Sequence, residues 1–195
     1  MVTFVVEDGT MVPNANSYVT VEDATDYLSA NIHASPAWVA LTLSDQQALL
    51  IWATRYLDSR ATWNGIPTSD FLANPTSFNV VGTWAVFPSP GDIPPQQALR
   101  WPRAGARDCD GVPIASNTIP RQLKAATAEM ARYLIATDRS LERPQDGLTE
   151  LKVDVITIKF REYELPIVPN EISYILRGLG TISSGRTNFS KITRV

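Results

Sequence analysis

The sequence has one cysteine and one histidine among its 195 residues, and this scarcity excludes several kinds of site. A single cysteine, Cys109, cannot form an internal disulfide. A lone histidine, His33, cannot complete a tetrahedral metal site without thiolate or carboxylate neighbours. We therefore expect no disulfide framework, no metal centre and no bound cofactor.

Catalytic motifs are also missing. The chain contains no glycine-rich phosphate loop, no HExxH pair and no GxSxG stretch. Cys109 lies between Asp108 and Asp110, and their negative charges disfavour the thiolate that a nucleophile requires. The same DCDG stretch lacks the third carboxylate and the closing glutamate of a calcium loop. We predict that the protein is not an enzyme and that it acts by binding or assembly.

Long apolar runs and a large net charge are absent as well. No run approaches the roughly 18 apolar residues of a membrane-spanning helix, so no membrane partner is expected. The net charge of −3 argues against broad electrostatic binding of nucleic acid. The charge is uneven, however, because residues 1–60 carry seven acids and two bases, whereas residues 119–195 carry nine acids and twelve bases. Such polarity suits head-to-tail contacts between complementary surfaces, although it also arises by chance.

Amphipathic segments are abundant and predict a mainly helical α+β fold, a bundle of three to four helices. The first helix follows Thr20, with Asp23 three residues later. The second is predicted to begin at a capping box formed by Ser44 and Gln47, and the third at Pro120. Three tryptophans in or beside helical stretches are expected to fill the core: Trp38, Trp52 and Trp63.

Proline and glycine divide the rest of the chain. Residues 66–96 are rich in proline and contain a hairpin pattern at 78–87, so they are predicted to be an insertion in a helical domain of residues 1–147. Residues 148–195 are predicted to form a C-terminal arm. This arm consists of an extended strand from Leu151 to Phe160 that could fold back near Glu162, a short helix ending at Gly178, and a polar tail.

The stretch ALRWPRAG, residues 98–105, combines rigid and charged residues with no catalytic partner. We predict that Trp101, Pro102 and Arg103 form a structural turn in which Trp101 is buried. In the tight turn that follows, Asp110 is predicted to cap the backbone and Gly111 to take a positive φ.

Several motifs in their order along the chain resemble one family. NSYVTVEDATDYL is followed by ATRYLD and WNG, then by LRWPRAG, DCDG and IPRQLKAATAEMARYL. Together they are similar to the head–tail connector proteins of long-tailed bacteriophages, also known as adaptor or head-completion proteins. The same group is also labelled DnaT-like single-stranded-DNA-binding proteins. The resemblance spans residues 14–137, with the 66–96 segment as an interruption.

This resemblance implies a structural subunit of the virion neck that is present in the host cytoplasm during assembly. It would form a dodecameric ring under the portal vertex, extend the DNA channel and carry the tail. The implied partners are further copies of the chain, the portal protein, genome DNA, and a tail terminator, tail tube or second neck protein. Arg100 and Arg107 would make subunit or channel contacts. The tail would bind the portal through Arg186, Phe189, Lys191, Ile192, Arg194 and Val195. The alternative is a single-stranded-DNA-binding accessory protein of phage DNA replication.

Overall fold

A computed structural model describes residues 3–73, 96–136, 150–153, 156–159 and 168–182 of the chain. In these ranges the fold is mixed α+β and mainly helical, as the sequence predicts. The helices are α1 (Val21–Ser29), α2 (Ser35–Val39), α3 (Leu43–Arg60), α4 (Thr68–Ala73), α5 (Arg121–Ala136) and α6 (Asn170–Ile175). The strands are β1 (Ala61–Trp63), β2 (Ile66–Pro67), β3 (Arg103–Ala104), β4 (Glu150–Val153), β5 (Ile156–Lys159) and β6 (Gly180–Ile182).

Helix α5 is the centre of the bundle, because α1, α2, α3 and α6 all pack against it. Its inward face carries Leu123, Met130 and several alanines, all buried. Small side chains let the neighbouring helices approach closely, and the larger ones fill the space between them. The partners contribute fully buried residues that complete one core, among them Leu28, Trp38, Leu57 and Ile172.

Within the described ranges, three antiparallel pairings of two strands each connect parts of the chain. Strand β1 pairs with β6, with Thr62 opposite Thr181, and β2 pairs with β3, with Pro67 opposite Arg103. Strands β4 and β5 pair with each other, with Leu151 opposite Ile158. The prediction of one extended strand from Leu151 to Phe160 is therefore wrong. Residues 150–153 and 156–159 form two antiparallel strands, with Val153 opposite Ile156, and their pairing satisfies backbone groups that a lone strand would leave open.

The helix starts show which capping predictions hold. Thr20 caps α1, and its Oγ1 accepts from the N–H of Asp23 at 3.0 Å, which confirms the predicted start. The predicted Ser44–Gln47 box is wrong, because the cap of α3 is Thr42, two residues before Ser44. Thr42 has extended backbone, and its Oγ1 accepts from Asp45 N–H at 3.2 Å while donating to the Asp45 carboxylate at 2.7 Å. Ser44 already lies inside the helix.

The tryptophans differ in their environment. Trp38 is fully buried and Trp63 nearly so, as predicted, but Trp52 is 40% exposed, so its prediction is wrong. The buried stripe of α3 follows Leu50, Ala53, Thr54 and Leu57 at helical spacing, and Trp52 falls outside it.

Part of the predicted C-terminal arm packs into the main core. Val168, Ile172, Leu176 and Leu179 are buried in the same cluster as the residues of α3 and α5. The division of the chain at residue 147 stays a prediction, as does the insertion at 66–96. The predicted hairpin at 78–87 and the tail beyond Ile182 lie outside the described residues. No helix in the described ranges has the length and apolarity needed to cross a bilayer.

Candidate functional site

The turn at Trp101 is buried inside the bundle. Trp101 is fully buried, is joined to Pro102 by a cis peptide bond, and packs edge-on against Trp63 with ring centroids 6.1 Å apart. Two large rings in T-shaped contact fill the space where the end of β1 meets the turn. The burial predicted for Trp101 is confirmed.

The guanidinium of Arg103 donates hydrogen bonds to three backbone carbonyls. Its Nε donates to the carbonyl of Asn64 at 2.8 Å, Nη2 to that of Gly65 at 2.6 Å, and Nη1 to that of Arg100 at 3.1 Å. Burial lowers the pKa of Arg103 from its usual value. Since the residue is only 8% exposed, it clamps the WNG loop to the turn and is not available to a partner.

The carboxylate of Asp58 on α3 joins the same turn to Tyr18, which lies just before α1. The Tyr18 hydroxyl donates to the Asp58 carboxylate, 2.7 Å from Oδ1, and accepts from the Trp101 N–H at 3.2 Å. The Arg100 N–H donates to Asp58 Oδ2, also at 3.2 Å. Burial raises the pKa of Asp58 to about 6, although the hydrogen bonds from Tyr18 and Arg100 oppose the shift. Burial and the nearby Asp58 charge raise the pKa of Tyr18 well above its ordinary value.

The DCDG loop is a tight turn held by a different residue from the one predicted. Gly111 has φ +82°, as predicted, but the capping carboxylate belongs to Asp108 rather than Asp110. Asp108 Oδ1 accepts from the N–H groups of Asp110 at 3.0 Å and Val112 at 2.8 Å. Asp108 precedes the turn and can reach forward to its N–H groups, whereas Asp110 is exposed within it.

The remaining predicted site residues are dispersed. Arg100 and Arg107 are exposed, and Arg107 Nη1 donates to the Gly111 carbonyl at 2.8 Å within its own turn. His33 and Cys109 are also exposed. In the described ranges no three histidine, cysteine or acidic side chains gather in a metal-binding group. Residues Arg186, Phe189, Lys191, Ile192, Arg194 and Val195 lie outside these ranges.

A groove of about 740 Å³ between α1, α5 and α6 was not foreseen from the sequence. Its walls are mostly apolar and include Val19, Tyr27, Ile119, Ala125 and Ile175. Tyr27 is 40% exposed. Burial raises the pKa of Tyr27, and the charges of Glu129 and Glu171 raise it further. The groove therefore presents an aromatic ring beside aliphatic side chains.

Charged groups of both signs stand at the rim of this groove. Lys124 Nζ on α5 forms a 3.1 Å ion pair with Asp23 on α1, between residues 101 positions apart in the chain. Arg121 and Asp26 also line the groove and are exposed. Neither side chain makes an ion pair within the described part of the chain. The cations Arg121 and Lys124 lie on the α5 side of the rim, and the carboxylates of the rim lie on the α1 side. The rim can therefore bind a phosphate group on the α5 side and hydrogen-bond donors on the α1 side.

More aromatic side chains lie on the adjacent surface. The Arg132 guanidinium lies 4.1 Å from the centre of the Tyr133 ring and pairs with Glu129 at 2.6 Å. The Tyr133 hydroxyl donates to Glu171 Oε2 at 2.8 Å. Tyr174 on α6 is 75% exposed. Arg132 is held by these neighbours and Lys124 is paired with Asp23, so Arg121 is the cation at the groove that makes no ion pair within the described residues.

A comparison with protein families gives a match along most of the chain. The matching family model is described as "Putative DnaT-like ssDNA binding protein" and covers residues 2–80 and 92–195. The unmatched stretch between them falls inside the segment 66–96. No curated protein and no solved structure matches the chain significantly.

Proposed function

Since the chain belongs to the family described as putative DnaT-like single-stranded-DNA-binding proteins, we propose that it binds single-stranded DNA as an accessory protein of phage DNA replication. The proposed site is the groove between α1, α5 and α6. The observation that carries this assignment is the arrangement of Tyr27 beside aliphatic walls with Arg121 and Lys124 on one rim. Single strands are bound without catalysis by such combinations of stacking surface and cationic track.

The small net charge of the groove limits how much electrostatic attraction contributes to binding of the strand. With Asp23 and Asp26 opposite the two cations, the groove adds little net positive charge. Base stacking on Tyr27 therefore supplies much of the affinity. The phosphate contacts number about two, one from Arg121 and one from Lys124, whose pairing with Asp23 the phosphate would replace. A single-stranded site with two phosphate contacts should show a slope of about −1.4 when the logarithm of the binding constant is plotted against that of the salt concentration.

The test is fluorescence anisotropy with a labelled single-stranded oligonucleotide over a salt series. Arg121→Gln should weaken binding and make the slope shallower by about 0.7, because one phosphate contact is lost. Arg55→Gln is the matched control, since Arg55 is an exposed cation on α3 that does not line the groove. Equal salt slopes for both variants and the wild type would contradict the proposed site.

Tyr27→Ala tests the stacking contribution. It should weaken binding by roughly 1–3 kcal/mol, the usual range for one stacked base. Trp52→Ala is the matched control, because Trp52 has the same 40% exposure but lies on α3 away from the groove. If Trp52→Ala had the larger effect, the strand would bind elsewhere on the molecule.

A second candidate is the virion connector implied by the sequence resemblance, and one observation favours it. The most distinctive shared motif, LRWPRAG, is an internal clamp: Trp101 is fully buried and Arg103 binds three backbone carbonyls. A motif of this kind preserves the shape of a subunit rather than contacting DNA. In this proposal the chain forms a dodecameric ring at the head–tail junction, binds the portal protein and carries the tail.

The two candidates give different results in solution. A connector should sediment as a ring, alone or with portal protein, and should bind oligonucleotides weakly. Arg100→Gln and Arg107→Gln should then impair assembly. A replication accessory protein should bind oligonucleotides as a small species and should not be captured by portal protein.

A further inference from the structure

The acidic side of the groove is unexpected for a site that binds a polyanion. Asp26 lines the groove and is exposed, and no described residue forms an ion pair with its carboxylate. Asp23, one helical turn earlier, is already paired with Lys124. A free carboxylate beside a DNA-binding surface repels phosphate, so its presence favours a ligand group that donates hydrogen bonds.

Among the parts of a DNA strand, only the bases offer such donors. A carboxylate accepts hydrogen bonds and donates none when ionised. Guanine presents two adjacent donors on its Watson–Crick edge, its ring N–H and its amino group, which match the two oxygens of one carboxylate. Cytosine and adenine each offer one amino group. Thymine offers a single ring N–H flanked by two carbonyl oxygens, which a carboxylate repels.

We propose that the groove selects among bases, with Asp26 as the specificity-determining residue and guanine as the preferred occupant. The base would lie between Tyr27 and the aliphatic wall around Ile175, with its Watson–Crick edge toward Asp26 on α1. Its phosphate would face Arg121 on α5. This inference rests on the proposed single-strand binding and adds to it a reason for the acidic rim.

The experiment uses a thymine strand of about twelve nucleotides with one central guest base, so that only this base differs between strands. The strand with guanine should bind about tenfold more tightly than the all-thymine strand, with cytosine and adenine between them. Asp26→Asn should reduce the guanine-to-thymine ratio below about twofold, because an amide can also donate to thymine oxygens. Its binding of the all-thymine strand should improve, since a negative charge is lost.

Glu22→Gln is the matched control, because Glu22 is an exposed acid of α1 that does not line the groove. It removes the same charge and should keep the wild-type base preference. Equal binding of all four guest strands, or an unchanged preference in Asp26→Asn, would overturn the inference and leave single-strand binding intact.

A second measurement separates this inference from the proposed function. Deoxyguanosine monophosphate should shift the backbone amide resonances of residues 23–27 and 121–125 in an NMR titration, and thymidine monophosphate should not. Such shifts without any strand binding would contradict the proposed function but keep the base site. Dimerisation that the Tyr27→Ala variant abolishes, without nucleotide-dependent shifts, would mean that a second copy of the chain fills the groove, and the base site would be wrong.

Discussion

Asp58 connects three parts of the fold through one carboxylate. It accepts from the hydroxyl of Tyr18, which precedes α1, and from the N–H of Arg100, at the turn, while its own backbone belongs to α3. Because burial disfavours its charged form, the folded protein holds the proton on Asp58 more tightly than the unfolded chain does. Protons and folding are therefore coupled at this residue.

The sign of this coupling gives a pH prediction. The pKa of Asp58 rises from 3.8 to about 6 on folding, so its contribution to stability is complete below pH 3.8 and is lost as the pH rises toward 6. At about 1.36 kcal/mol per pKa unit, the loss is at most about 3 kcal/mol. Asp58→Asn should resemble the protonated acid, so it should match the wild type near pH 4 and exceed its unfolding free energy above pH 6.

Urea unfolding at pH 4.5 and 7.5 measures this difference. Asp110→Asn controls for the loss of one negative charge, because Asp110 is exposed in the neighbouring turn. Parallel pH profiles for the wild type and Asp58→Asn would show that the carboxyl titrates normally in the folded protein.

Trp101 and Trp52 differ in burial, so their removal should have different costs. Trp101→Ala should lower the free energy of unfolding by roughly 3–5 kcal/mol, as for other buried aromatic residues, because it removes the ring that packs against Trp63. Trp52→Ala should cost clearly less, about 1 kcal/mol, since its side chain is partly in water. Thermal or chemical denaturation measures both. Similar losses would place Trp101 in a looser environment than the one described.

The segment that follows α6 packs tightly against the DCDG turn. Gly178 has φ +91°, and a Cβ added there would stand 2.4 Å from the Cys109 nitrogen. Its carbonyl accepts from the Asn64 side chain at 2.8 Å. This glycine therefore lets the helix end, the WNG loop and the turn meet at one point.

Gly178→Ala and Gly111→Ala separate backbone conformation from close packing. Both glycines have positive φ, but a Cβ at Gly111 would meet nothing within 4 Å. Gly111→Ala should cost only the conformational penalty of about 1 kcal/mol, whereas Gly178→Ala should cost more because the Cβ collides with backbone atoms. Equal losses in urea unfolding would mean that α6 can move away from the turn.

The elements also show how far the sequence alone predicts this molecule. The sequence predicts Thr20 as the cap of α1 because a cap and its partner are only three residues apart, so the pattern is local. The same local rule predicts Ser44 as the cap of α3, whereas Thr42, which also has a partner three residues later in Asp45, is the cap in the structure. Local rules also do not show which face of that helix leaves Trp52 exposed. The groove depends on α1 and α5 meeting, as in the Asp23–Lys124 pair, and no local pattern encodes that distance. Asp58 was missed for the same reason, since its partners come from the start and the middle of the chain.

Residues 168–182 join the C-terminal part of the chain to the helical bundle. Strand β6 pairs with β1, directly after α3, and α6 packs on the central helix α5. Four buried apolar residues from this region complete the core: Val168, Ile172, Leu176 and Leu179. The bundle therefore depends on residues that the sequence assigns to a separate arm.

Two truncations test this dependence. Removing 183–195 should leave the free energy of unfolding within about 1 kcal/mol, because the described core ends at β6. Removing 168–195 deletes the four core residues, and burying each is worth roughly 1.5–3 kcal/mol. The sum is comparable to the whole stability of a small domain, about 5–15 kcal/mol, so the shorter chain should not fold cooperatively.

Circular dichroism melting of the two truncated chains measures whether each unfolds cooperatively. A cooperative transition in the chain 1–167 would mean that these residues fold independently. Loss of the cooperative transition in the chain 1–182 would mean that residues 183–195 belong to the core.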